Sequence, residues 1–360
     1  MKTNKFMLHK PFYDPEKTYN ENLKDGPFGS FSDGKILKEK GEPKYNFFGH
    51  KVYSPFGIPA GPLINGKFVE AALRKGFDIV VYKTVRSHKY PCHKWPNILH
   101  VDIKGNLTLK KAEGKLIANH NFNDPLSITN SFGVPSQESK IWQKDIRKVL
   151  KNVRPGQIVV GGFQGTKSTD GNIESYINDF CLTAKLLKEV GVKVFEVNFS
   201  CPNEGTNNLL CFDIERSYLI AKAIKNEIGD LPLIVKIAYF KDDELLKNFI
   251  KKLGKTVDGI SAINTIASTI VDESGKQALP GLGRERSGVC GHSIKWAGLD
   301  MVKRLNKLRN EFGYKYTIIG VGGVMSEKDF KEYRKSGADI VMSATGAMWN
   351  PYLAEEIKKL

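Results

Sequence analysis

At 360 residues, with 41% hydrophobic and 26% charged residues, the chain has the make-up of one folded, enzyme-sized domain and not that of a disordered or fibrous protein. No apolar run reaches about eighteen residues, and the stretch up to Gly26 has neither a signal peptide's apolar centre nor a cleavage site, so a cytoplasmic location is expected. Fifty-five Lys and Arg against 39 Asp and Glu give a net charge of +16, but the lysines are dispersed along stretches such as KNFIKKLGK and MVKRLNKLRN; that argues against a nucleic-acid partner and leaves a general attraction for small anions.

Residues 1–50 are polar, rich in Lys, Gly and Pro, and without a sustained period, which predicts an irregular N-terminal arm. From residue 51 to 360 short apolar runs alternate with amphipathic stretches, the pattern of repeated β–α units. Eight runs follow in order: GIPAG (57–61), IVVYKT (79–84), IVVGGF (158–163), VFEVNFS (194–200), LIVKIAY (233–239), GISAINT (259–265), TIIGVGGV (317–324) and IVMSATGA (340–347). Most are dense in Val and Ile, as strands buried on both faces must be, and end on polar or small residues. Eight such units predict an α/β fold, a (β/α)8 TIM barrel, with its site where the polar strand ends gather. The stretch from 85 to 157, including PLSITNSFGVPS, is too long for a simple crossover and predicts an insertion over the barrel mouth. A doubly wound open sheet is the alternative, but no GxGxxG follows the first run.

Three features carry chemistry. The stretch EVNFSCPN (196–203) places Asn198, Ser200, Cys201 and Asn203 at and beyond a strand end, where a cysteine among amides can be reactive and the amides suit a planar ring with N–H and C=O groups. Gly320, Gly322 and Gly323 precede one late helix, and Ala344, Thr345 and Gly346 the next; tight turns explain one such set, whereas two on the last strands favour a phosphate site. Lys83 and Lys236 each lie inside an apolar strand, and a closed barrel has no edge where they could reach solvent, so each faces the mouth or a counter-charge. The five cysteines are odd in number and form no CxxC pair, which predicts reduced thiols. HKYPCHKW (88–95) clusters His88, Cys92 and His93, but adjacent ligands and no fourth partner make it a plain loop, and no metal is expected.

The motifs YKT, ITNSFGVP, NFSCPN, VKI, INT, GVGG and ATG occur here in the order in which they occur in dihydroorotate dehydrogenases, and over roughly residues 52–351 the chain resembles that family of flavin mononucleotide (FMN) barrels. The resemblance implies oxidation of dihydroorotate to orotate in pyrimidine biosynthesis. It implies that Lys83, Asn130, Gly133, Asn198, Asn203, Asn264 and Thr265 hold the substrate. It implies that Ala60, Gly61, Lys83, Lys236, Gly291, Gly322, Gly323, Ala344 and Thr345 hold FMN, with Lys236 offsetting the charge of the reduced ring. Cys201 then matches the base that removes the carbon-5 proton, while hydride leaves carbon 6 for flavin nitrogen 5.

A cysteine base resembles the soluble first class of the family, whereas the membrane-associated, quinone-using class carries serine there. The arm's length suits the second class, yet Pro11, Pro15 and Pro27 would interrupt an amphipathic membrane helix. Asn203 is followed by EGT, and Cys290 and Trp296 in SGVCGHSIKW replace the more usual Ser and Pro, both departures from the family pattern. Dihydropyrimidine dehydrogenases carry His where Asn203 stands, which favours dihydroorotate over that alternative. A non-catalytic flavin- or phosphate-binding barrel is the competing class, and it would have no need of a reactive Cys201. Fumarate, a partner flavoprotein and quinone all remain open as electron acceptor. A homodimer is the analogy that the soluble members offer.

Overall fold

The computed structural model describes residues 8–167, 171–200 and 209–360. Helix α1 (Tyr19–Asp25) lies in the N-terminal arm, before a hairpin of β1 (Tyr45–Phe47) and β2 (His50–Val52). Strands β3 (Phe56–Ile58) and β4 (Ile79–Val85) flank α2 (Gly66–Arg74). Next come β5 (Ile98–Val101), α3 (Leu109–Ala112), β6 (Lys115–Asn119), β7 (Ser127–Asn130) and α4 (Ser139–Lys151). The alternation resumes with β8 (Ile158–Phe163), α5 (Ile173–Glu189), β9 (Phe195–Asn198), α6 (Ile214–Ile228), β10 (Leu233–Ile237), α7 (Asp243–Leu253) and β11 (Gly259–Ala262). Strands β12 (Ile266–Val271) and β13 (Arg286–Gly291) interrupt it again. The chain then runs through α8 (Lys295–Phe312), β14 (Thr317–Val321), α9 (Glu327–Lys335), β15 (Ile340–Met342), α10 (Thr345–Trp349) and α11 (Leu353–Lys358).

Eight strands, β3, β4, β8, β9, β10, β11, β14 and β15, close into one parallel barrel, and each of the eight predicted runs overlaps one of them. Enclosure on both faces explains their composition: every residue of β4 (IVVYKTV) and of β10 (LIVKI) is buried. Val160, Val194, Ile234 and Ile319 share an apolar cluster with Phe47 and Val52 of the β1–β2 hairpin, so the hairpin's aromatic and valine pack into the barrel interior. Side-chain caps set the helix starts after several strands, Asp213 for α6, Asp242 for α7 and Ser326 for α9.

The predicted insertion forms only half of the roof. Strands β5, β6 and β7 from the second crossover join β12 and β13 from the sixth in a second closed sheet of five strands. In it Asn130 of β7 lies opposite Gly288 of β13. The arm is more ordered than its composition suggests. Thr18 and Glu21 form a capping box at α1, and His9 N and Phe12 N donate to the carbonyls of Trp349 and Met348 at 3.0 and 3.1 Å, pinning the arm against α10. Among the described residues, no helix is long and apolar enough to cross a membrane.

Candidate active site

Polar ends of the barrel strands and the underside of the roof enclose a cavity of about 160 Å3. Lys83 enters from β4, Asn198 from β9, Lys236 from β10, and Asn264 and Thr265 from the residues just after β11. Asn130 and Gly133 come down from the roof at the end of β7. Ala60 and Gly61 follow β3, and Ala344 and Thr345 open α10. Most of the residues expected for substrate and for cofactor, though not Gly291, Gly322 or Gly323, therefore line one cavity. Cys201 and Asn203 lie outside the described residues.

Both strand lysines are buried, Lys83 at 7% and Lys236 at 6% exposure, and both face the cavity as the closed barrel requires. Lys236 Nζ donates to the Ala60 carbonyl at 3.4 Å. Glu196 sits two residues below Asn198 on the neighbouring strand β9, 2% exposed, and its Oε2 has no hydrogen-bond partner. Burial pushes the Glu196 carboxyl above the usual carboxylate range, and the Lys236 ammonium pulls it back. A cationic side chain with one long bond to a carbonyl, above a partly orphaned carboxyl, is a donor set suited to an anionic or electron-accepting ring.

A hydrogen-bond chain fixes the strand ends. Asn198 Nδ2 donates to Gln164 Oε1 at 2.8 Å, and Asn198 Oδ1 accepts from Ser200 N at 3.2 Å and Ser200 Oγ at 3.1 Å. Asn264 Nδ2 donates to Ser200 Oγ at 3.0 Å and Ser200 O at 3.2 Å. Two amides are thus oriented through one serine, the residue immediately before Cys201 in sequence. The fully buried Gln164 keeps Nε2 unpartnered and holds Asn198 from behind. Cys290 joins the two sets of site residues: its Sγ accepts from Asn130 Nδ2 at 3.4 Å and from Thr345 Oγ1 at 3.5 Å. Desolvation raises the Cys290 thiol above its ordinary value, which keeps it a neutral acceptor.

The three remaining glycines are not among the residues that line this cavity. Gly323 takes φ +69°, and a Cβ there would come within 2.7 Å of the Lys295 backbone, so the glycine serves the close approach of the β14 turn to α8. Gly322 precedes it in that turn, and Gly291 ends β13 against the Leu126 carbonyl. In the HKYPCHKW loop, His93 packs directly beneath Gly133 and its Nδ1 meets Ser131 Oγ at 3.2 Å. Burial pushes the Cys92 thiol up to about 11. That loop buttresses the roof.

Sequence reasoning passed over Gln164, Arg284 and Tyr13, and gave Cys290 only as a departure from the family pattern. Arg284 is 4% exposed; its Nε donates to Ser131 Oγ at 3.0 Å and its NH1 to the Lys94 carbonyl at 2.8 Å, tying three roof segments together. An arginine directly after the glycine pair of GLGRE was the available signal. Tyr13 reaches the cavity from the arm, and no local pattern could reveal that.

A profile of the family described as dihydroorotate dehydrogenase matches residues 103–360. The chain is 34% identical over 359 residues to the dihydroorotate dehydrogenase of Dictyostelium discoideum, covering 96% of each. It is 28% identical over 315 residues to the dihydroorotate dehydrogenase (quinone) of Vibrio parahaemolyticus, covering 85% of this chain and 83% of that one. Over 312 residues it is 24% identical to the dihydroorotate dehydrogenase B (NAD(+)) catalytic subunit of Methanocaldococcus jannaschii, covering 86% and 88%. Its fold matches the crystal structure of a ligand-free dihydroorotate dehydrogenase from Eimeria tenella with a TM-score of 0.70 at 20% identity, over 90% of this chain and 88% of that one. On the family match, and on 34% identity along nearly the whole length of a relative, this chain belongs to the dihydroorotate dehydrogenase family.

Proposed function

We propose that this protein oxidises dihydroorotate to orotate in pyrimidine biosynthesis, with FMN as its cofactor and Cys201 as the base. The observation that carries this reading is the convergence of Lys83, Asn130, Asn198, Asn264 and Thr265 with Lys236, Ala60 and Thr345 on one cavity. FMN, when bound, supplies the two-electron acceptor. Lys236, Ala60, Gly61, Ala344 and Thr345 are the residues that would hold it, with Gly291, Gly322 and Gly323 shaping the turns behind them.

The chain's own groups do the rest. Lys83 offers a cation to a carboxylate, and Asn130, Asn198 and Asn264 offer amide donors and acceptors to a planar ring; Asn198 and Asn264 are pre-oriented through Ser200. Asn203 would add a fourth amide, and Gly133 lines the cavity under the roof, against the His93 ring. Cys201 Sγ takes the carbon-5 proton. An ordinary thiol is only partly ionised at neutral pH, so a cation such as Lys83 in the same site would favour the thiolate. The arm, residues 1–50, and the catalytic unit, residues 51–360, act as one enzyme. A cytoplasmic location is consistent with the free thiols of Cys92, Cys181, Cys211 and Cys290. Homodimeric assembly is carried over by analogy alone.

The test is the colour of the purified protein and its anaerobic bleaching by dihydroorotate, with dihydrouracil as the control. Bleaching by dihydroorotate alone supports the reading. A colourless protein that cannot be reconstituted with FMN overturns it. Relatives are named for NAD(+) and for quinone, so reoxidation of the bleached protein is followed with fumarate, quinone and a partner flavoprotein in turn.

A further inference from the structure

The roof segment that carries Asn130 and Gly133 has an unfavourable backbone. Gly133 takes φ +76° and Val134 φ +51°, and a β-branched residue in the left-handed region is uncommon and costly unless its surroundings over-determine it. Several contacts do so. Arg86 Nε donates to the Val134 carbonyl at 3.1 Å, and His93 N to the Phe132 carbonyl at 3.0 Å. A further handle on the segment is the Phe132 side chain, which lines the cavity and is gripped by the N-terminal arm. Tyr13 meets it edge-on with centroids 5.6 Å apart at 88°, and Tyr19 meets it at 6.0 Å and 64°.

The arm is itself anchored. On one side its backbone bonds to the carbonyls of Met348 and Trp349 in α10, the helix opened by Thr345. On the other, Trp95 Nε1 donates to the Pro15 carbonyl at 3.0 Å, and Asn22 Oδ1 and Nδ2 hold the backbone of Asp14 at 2.8 and 3.0 Å. Tyr13 sits between these anchors, 1% exposed, in the wall of the cavity. Its hydroxyl is buried with no hydrogen-bond partner, so the ring, not the hydroxyl, makes the contact that the structure uses.

We infer that Tyr13 is a positioning residue of the substrate site: the arm clamps Phe132 through the Tyr13 ring and so holds the Phe132–Val134 segment in the conformation that presents Asn130 and Gly133 to the ligand. This rests on the reading of the cavity as the substrate site. It makes the arm part of the binding machinery, although no arm residue belongs to a barrel strand.

The test uses the flavin-loaded full chain and orotate titration followed by flavin absorbance. Tyr13→Ala retains its flavin, and its orotate dissociation constant rises about tenfold, the scale of one lost aromatic pair together with the loosened segment. KM for dihydroorotate rises with it, while kcat falls less. Tyr13→Phe keeps the ring, discards only the unpartnered hydroxyl and restores the affinity. Phe132→Ala gives the same defect from the other side, and the double variant Tyr13→Ala/Phe132→Ala is no worse than either single one. An unchanged dissociation constant in Tyr13→Ala overturns the inference, as does a Tyr13→Phe defect equal to that of Tyr13→Ala. Additive effects in the double variant also overturn it. If Tyr13→Ala does not fold, Phe132→Leu tests the same clamp by the same titration, with unchanged affinity counting against it. Native protein that binds flavin but never binds orotate sinks the substrate-site reading instead, and so the two failures are told apart.

Discussion

Replacing Lys236 by Met removes a cation that draws the Glu196 carboxyl downward, and the result should be read in the pH dependence of stability. The two side chains stand on adjacent parallel strands, with Glu196 opposite Ile234 and Asn198 opposite Lys236, and Glu196 is closed off from water. Burial already raises the carboxyl above its ordinary value of 4.5. A raised folded-state value means that the native protein holds a proton which the unfolded chain has released. The stability from this group is therefore full below the ordinary carboxyl range and is lost as pH rises. Without Lys236 that loss extends to higher pH. The carboxyl then either stays charged inside the barrel, at several kcal/mol, or takes up a proton. Proton uptake sets the ceiling, because at 1.36 kcal/mol per pH unit it costs about 3 kcal/mol at pH 7 and under about 1 kcal/mol at pH 5. The stability gap between native protein and Lys236→Met should thus widen by up to about 2.5 kcal/mol from pH 5 to pH 7. Urea unfolding at pH 5, 6 and 7, with and without excess FMN, measures it, and Lys236→Met/Glu196→Gln should close the gap. A constant gap across that range refutes the coupling. The same variant should retain flavin poorly; unchanged flavin content and reduction potential would show that Lys236 does not serve the cofactor.

Cys201→Ala should keep its flavin and bind orotate, while anaerobic flavin reduction by dihydroorotate slows by about a hundred- to ten-thousandfold in stopped-flow absorbance; reduction at the native rate would make the thiol structural. Lys83→Ala should raise the orotate dissociation constant about ten- to a hundredfold, the value of one charge-assisted hydrogen bond, and superimposable titration curves would refute the assignment. Gly323→Ala forces a side chain into φ +69° and against the Lys295 backbone, so it should lose about 1–3 kcal/mol of stability and part of its flavin. An unchanged urea midpoint and flavin content would refute that account.

The barrel was legible because enclosure on both faces leaves a mark on every strand: runs such as IVVYKT and LIVKIAY have no reading as surface segments. The same logic made Lys83 and Lys236 conspicuous, since an ammonium in an apolar run needs a reason, and both face the cavity. Gly322 and Gly323 were harder to interpret. Glycine answers to a phosphate and to a close-packed helix alike, and here the visible neighbour of Gly323 is Lys295. Strands β12 and β13 went unpredicted because their burial is ragged, and SGVCG gives no periodic signal. The order in the arm was half visible. Thr18 and Glu21 spell a capping box, and the aromatics of PFYDP and PFGSF have no place in a solvated tail. What no local pattern could reveal was the destination of Tyr13, fixed by contacts remote in sequence.

The divided roof also sets an order of events during synthesis. Asn130 cannot meet Cys290, nor can β7 pair with β13, until a further 160 residues have emerged. At about 5–20 residues per second, that wait lasts on the order of ten to thirty seconds. For that interval β5, β6 and β7 are strands without their closing partners, exposed along an open edge. The nascent enzyme is therefore most vulnerable to mispairing while the half of its roof that carries Asn130 and Gly133 is already made and the other half is still on the ribosome.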